Sequence, residues 1–383
     1  MNRVPVNPEL LSWARVRAGA DAFDLQVRFP KLAEWESGEL QPTLKQLEGF
    51  AKAVHAPIGY LFLPAPPEEP MPIPDFRTLG GRKVARPSPN LLDMIYACQE
   101  RQSWYREYAL LTQQPSLRFV GSSTTAMPAE DAAVSMAKLL AFNLDARRDC
   151  RTWTEALRQF IVQAERIGVM VMVTGVVLSN NRRHLDPEEF RGFALSDDRA
   201  PLVFINGADT KAAQMFTLAH ELAHLWLGAS ALSDASPAST GGHRVEQWCN
   251  QVAAELLAPL AVVRDELQRD EALDQTLARL ARRFKVSTLV ILRRLLDAGV
   301  LNRADFGRAY AEEVARLRQL MATGAGGGDF YLTTMARVSR RFASALVEST
   351  LEGRTLYRDA FRMLGIAKTE TFNELGRNLH FAL

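Results

Sequence analysis

Residues 215–226, Met-Phe-Thr-Leu-Ala-His-Glu-Leu-Ala-His-Leu-Trp, are apolar on nearly every face of a helix yet carry His220, Glu221 and His224. A helix that is hydrophobic all round has to be buried. Imidazoles and carboxylates buried with it need partners. The core of this chain is therefore built around a polar cluster. At 3.6 residues per turn, His220 and His224 lie on one face, about 6 Å apart along the axis. Both imidazoles can reach one tetrahedral ion. Glu221 sits about 100° round the helix, near enough to act on water beside such an ion without being a ligand. The HExxH spacing thus supplies two metal ligands and a general base. Histidine occurs six times in 383 residues, so this spacing is rare by chance. Asp209 or Thr210 can cap the start of the helix, and Gly228 can end it.

A third protein ligand is needed. Residues 245–259 read as a second helix ending before Pro259, with small residues Cys249, Ala253 and Ala254 and Leu257 suited to packing on the first. Glu246 shares the side of Cys249, Asn250, Ala253 and Leu257. Glu255 is nine residues later, about 180° round, so the two carboxylates cannot both face the ion. Glu246 is the favoured third ligand; His243 and Cys249, within a turn of it, are the rivals. Two histidines, one glutamate and an open position make the catalytic kind of zinc site, whereas a structural site is closed by a fourth protein ligand. Asn250 is either a partner of Glu246 or a helix-packing amide. The Ser-, Ala- and Gly-rich stretch 229–242 is a connecting loop or a lid.

Eight prolines between 64 and 89 divide the chain, because proline removes donors and fixes φ. Before this linker, apolar residues at helical spacing place helices over Pro8–Ala18 and Thr43–Val54, with two short ones between, closed by Ser37-Gly38. After it come helices at about 90–111, 128–142 and 153–166, then strands at 169–177, 192–196 and 201–206. The strand leading to the HExxH helix, Ala200–Asn206, is an edge strand able to take an extended peptide or a core strand; Pro201 near its start fits an edge. From about 272 the chain is helical, interrupted by Gly324 and Gly326–Gly328. The expected fold is α+β and mostly helical. It divides into a small helical domain (1–63), a proline-rich linker (64–89), a catalytic domain with a small sheet (90–260) and a helical C-terminal region (261–383).

Composition excludes several classes. With 47% hydrophobic and 23% charged residues the chain is not disordered. A net charge of +2 is no footprint of a dedicated polyanion binder. Cys98, Cys150 and Cys249, far apart and without a CxxC, argue against a disulfide framework and for a reducing compartment. The first fifteen residues lack a signal-peptide pattern. The longest apolar run, 167–178, is too short to span a bilayer and reads as a buried strand. The expected location is the cytoplasm, with no membrane partner.

The run Ala200–Gly228, followed by Glu246-x-x-Cys249-Asn250-x-x-Ala253-Ala254-Glu255-Leu256-Leu257-x-Pro259, resembles the ImmA/IrrE family of bacterial zinc metallopeptidases. Residues 328–331 (Gly-Asp-Phe-Tyr) and 338–342 (Val-Ser-Arg-Arg-Phe) look like the tails of longer members. The resemblance implies a zincin-like catalytic domain in which His220, His224 and Glu246 bind Zn2+ and Glu221 is the catalytic carboxylate. It further implies cleavage of a protein substrate, a repressor of the helix-turn-helix kind or an antitoxin.

Residues 29–38 and 41–44 resemble the repressor-type helix-turn-helix modules fused to this family. Residues 1–76 carry seven Lys/Arg against ten Asp/Glu, 7 − 10 = −3, and Glu34, Glu36 and Glu39 flank the would-be recognition helix, where phosphates repel them. A degenerate module for protein contacts or dimerisation is the stronger alternative to DNA binding. Residues 280–295 form a second such stretch, with Ser287 as cap, and residues 274–318 hold ten Lys/Arg against five Asp/Glu. The competing function is a DNA-binding transcriptional regulator whose zinc site is sensory or structural.

Overall fold

The computed structural model describes residues 3–75, 87–233, 244–322 and 335–381. The chain divides into two compact units: one runs to Pro72 and includes the stretch ending at Ile95, the other includes Ile73 and continues from Tyr96. The fold is α+β and mostly helical. Among the described residues no helix is long and apolar enough to cross a membrane.

The first unit is all helical. α1 (Pro8–Arg17) starts where the Asn7 side chain accepts the Glu9 N–H and Pro8 takes the first position. α2 (Ala22–Arg28) is capped by Asp21, and α3 (Leu32–Glu36) has only five residues. α4 (Leu44–Ala53) begins with a reciprocal box between Thr43 and Gln46. Leu10, Leu11, Trp35, Leu47, Phe50 and Leu61 form the core.

In the second unit a four-stranded sheet carries the helices that matter. α5 (Pro89–Leu111), which enters this unit at Tyr96, α6 (Ala129–Leu140), α7 (Leu144–Arg148) and α8 (Trp153–Arg166) precede it. β1 (Met170–Thr174), β2 (Gly192–Leu195), β3 (Leu202–Asn206) and β4 (Ala231–Ser233) lie in the order β1-β3-β2-β4. The β1–β3 pair is parallel; β3–β2 and β2–β4 are antiparallel. α9 (Lys211–Leu227) lies on β2 and β3 and packs against α8 and α10 (Arg244–Leu257). α11 (Leu260–Asp265), α12 (Leu273–Phe284), α13 (Thr288–Asp297) and α14 (Arg303–Ala322) follow. Three more helices, α15 (Arg340–Leu351), α16 (Tyr357–Leu364) and α17 (Thr369–Asn378), close the described chain.

Of the two readings of the strand leading to α9, the core one holds: β3 pairs on both sides and all five residues are buried. Pro201 is compatible with that central place because β1 uses its carbonyl, which accepts the Met170 N–H at 2.9 Å, and not its missing N–H. Part of the expected connection 229–242 is also ordered as β4. Residues 234–243 of that connection, the glycine run 324–328 and the 328–331 segment lie outside the described residues.

Candidate metal centre

Every residue of α9 from Gln214 to Trp226 is buried. The Thr210 hydroxyl accepts the Ala213 N–H at its start, and Gly228, left-handed at φ 69°, ends it. Such burial follows from the sequence: apolar residues on all faces leave no side for solvent. α10 lies alongside, with Cys249 and Ala253 fully buried. That brings Glu246, in the first turn of α10, onto the His220–His224 face of α9.

Three side chains converge. The Nε2 atoms of His220 and His224 are 3.1 Å apart. Glu246 Oε2 is 3.2 Å from the first and Oε1 is 2.9 Å from the second. Among the described residues this is the one group of three or more His, Cys, Asp or Glu side chains whose ligand atoms gather within 4.8 Å. Cys249 is buried nearby but is not in the group, and His243 lies outside the described residues. Glu255 faces the other way, onto Arg294 and the Leu260 N–H, as the half-turn difference requires. Asn250 is buried with no hydrogen-bond partner for its Oδ1 among the described residues.

Electrostatics suit a cation. Burial lowers the pKa of His224, against the pull of the Glu246 carboxylate, which favours the neutral imidazole. For Glu246 burial acts upward, but His220 and His224 outweigh it and hold the group well below the usual carboxylate range. Two imidazole nitrogens and a carboxylate packed this closely need a positive centre among them, which either a proton on an imidazole or a metal ion supplies. Donor atoms bound tetrahedrally at about 2.0–2.1 Å stand roughly 3.3 Å apart, close to the separations observed. The residues fit a divalent ion.

Glu221 is fully buried on α9 and neither carboxylate oxygen has a partner within hydrogen-bond distance among the described residues. Burial pushes its pKa well up, the Glu246 charge adds to this, and the Ser233 hydroxyl opposes it. A Cβ on Gly192 would come within 2.6 Å of Thr217 Cγ2, 2.8 Å of the Phe204 carbonyl and 3.2 Å of Glu221 Oε1. Glycine there lets β2 close onto the face that carries Glu221. Ser233, the last residue of β4, puts its hydroxyl 3.2 Å from His224 Nε2. Sequence reasoning missed both Ser233 and Gly192. A three-residue strand has no readable period, and a lone glycine in a strand signals only close approach, not to what.

Comparison with known proteins agrees with this geometry. Residues 164–296 match the IrrE N-terminal-like domain, a metallopeptidase-type family, and residues 338–378 match a domain of unknown function. A relative from Deinococcus radiodurans, described as the radiation response metalloprotease IrrE, is 35% identical over 106 residues. That match covers 26% of this chain and 32% of the relative, so the chain spans about a third of the relative's length. The central part of the chain, from the end of α8 through α13, is thus similar to a metallopeptidase domain of the IrrE kind.

Proposed function

We propose that the protein is a zinc-dependent endopeptidase of the cytoplasm that cleaves a protein substrate, a transcriptional repressor or an antitoxin. The observation that carries this reading is the convergence of His220, His224 and Glu246 at 2.9–3.2 Å. These three residues would hold the ion. Two nitrogens and one carboxylate favour zinc by ligand type. The chemistry such an ion would supply there is Lewis-acid polarisation of water and of a scissile carbonyl.

Glu221 is the general base. It is next to the cluster in sequence, on the adjoining face of α9, buried beside the Ser233 hydroxyl. Its carboxylate accepts a proton from the attacking water and returns it to the leaving amine. Burial excludes competing solvent and keeps Glu221 basic enough to do so.

DNA binding through 280–295 is the weaker reading. Three of its five basic residues meet carboxylates, Arg283 with Glu266 at 3.2 Å, Arg293 with Asp297 at 2.9 Å, and Arg294 with Glu255, while buried Lys285 donates to the Arg282 carbonyl at 3.0 Å and the Arg282 side chain is exposed. Arg279, just before it, pairs with Glu271 at 2.7 Å. The stretch also lies within the matched metallopeptidase domain. In the first unit, α3 offers five residues, and Leu32 and Trp35 of these are buried in the core.

The test is co-expression with repressors or antitoxins encoded nearby, comparing the native chain with Glu221→Gln. Loss of an intact partner with the native chain only, while both chains retain zinc by elemental analysis, supports the proposal. A salt-dependent shift of duplex DNA with no cleavage of any partner overturns it in favour of a regulator.

A further inference from the structure

The edge strand beside the centre is already paired. In an antiparallel ladder, successive residues point their N–H and C=O to opposite sides. β4 has three residues, and Ala231, Leu232 and Ser233 face Ala194, Phe193 and Gly192 of β2. Leu232 is the residue whose polar groups face outward, and its N–H donates to the Pro74 carbonyl at 2.9 Å. Asp75 and Leu232 form a parallel bridge. Ile73 is buried at 6% exposure, which anchors the segment. One residue further along β4, Ser233 touches His224. The chain's own Ile73–Asp75 therefore occupies the outward edge next to the metal cluster.

We propose that Ile73–Asp75 is a built-in strap that keeps an extended peptide off β4 and so restrains the centre. This rests on reading the centre as a peptidase. The composition of the strap suits a weak, displaceable occupant. Pro74 is its central residue and Pro72 directly precedes the strap, and proline has no N–H to give to a ladder. The strap pairs through a carbonyl and cannot extend the ladder far. A peptide with its full set of amide donors competes better for the same edge. Apparent peptide affinity is reduced by the fraction of time the strap stays docked.

The test uses the full chain carrying Glu221→Gln, so that bound peptide is not cut, with and without Ile73→Asp. Two readouts are taken: hydrogen exchange at the Leu232 amide, and affinity for a fluorescent, proline-free extended peptide. Ile73→Asp is expected to speed Leu232 exchange and tighten peptide binding, each by about tenfold. A synthetic peptide of residues 70–75 should compete for the opened edge. Ile73→Ala, checked by melting temperature, gives the same directions at smaller size if Ile73→Asp does not fold. Faster exchange with unchanged affinity, or unchanged exchange in both variants, overturns the strap. Tighter peptide binding in a zinc-bound chain with Glu221 restored that still hydrolyses nothing leaves the strap standing and removes the peptidase.

Discussion

The two ends of α10 hold carboxylates in opposite kinds of company. Glu255 meets Arg294, which also reaches Asp297 at 3.2 Å. Arg294 is a permanent cation, and the cluster is complete within the protein. Glu246 meets two imidazoles, of which His224 is pushed toward its neutral form by burial. The first cluster has its positive charge built in; the second has donors aimed at a common point and no fixed cation. Nearly equal burial, 12% and 10% side-chain exposure, produces a structural ion pair in one case and a candidate ligand set in the other. What separates them is partner chemistry, not depth.

Glu246→Gln is the harshest test of that contrast. It should lower zinc affinity by more than about 100-fold, since one of three protein ligands is lost. The metal-free protein should melt only slightly lower than the native one at neutral pH, because the imidazoles favour the charged carboxylate in the fold while burial opposes it. Competition with a chelating dye and parallel melting curves read both. A large loss of stability without metal would make Glu246 structural, like Glu255.

Glu221→Gln should keep the zinc and lose about 10²–10⁴-fold in peptide hydrolysis. Retained activity would take the general-base role away from this residue. Glu255→Gln should do the converse. It leaves Arg294 buried with Asp297 alone, a cost of about 3 kcal/mol in denaturant titrations, and zinc affinity should not move. Loss of zinc there would merge the two clusters.

The smallest effect concerns Glu165, at the end of α8. Burial raises its pKa, while the Ser339 hydroxyl and the Arg341 N–H donate to its Oε1. A carboxyl raised in the fold favours its protonated form. Its contribution to stability is therefore complete at low pH and fades as pH rises through the folded-state value. Glu165→Gln keeps an acceptor for both donors and loses the charge. It should melt slightly higher than native at neutral pH, and the gain should vanish toward about pH 4.

Much of the centre was legible in the residues. The run 215–226 has one physical solution, a buried helix, and that places His220 and His224 together because 3.6 residues make a turn. The same angle separates Glu246 from Glu255. Caps at Thr210 and Gly228 follow from their local chemistry. The position of β3 was not legible: a run of apolar residues reads alike at an edge and in the middle, and only pairing distinguishes them. For the basic stretch 274–318 a net count could not reveal that Arg279, Arg283, Arg293 and Arg294 meet carboxylates within the fold.

By itself, then, the sequence determined the helices, their buried faces and the local pair of imidazoles, all of which rest on short-range periodicity and steric rules. Only the tertiary structure decided that Glu246 completes the cluster, that Gly192 lets a strand close on Glu221, and that Pro74 pairs with Leu232. Those contacts join residues far apart along the chain. Their geometry is set by how helices and sheet pack, which no local pattern encodes.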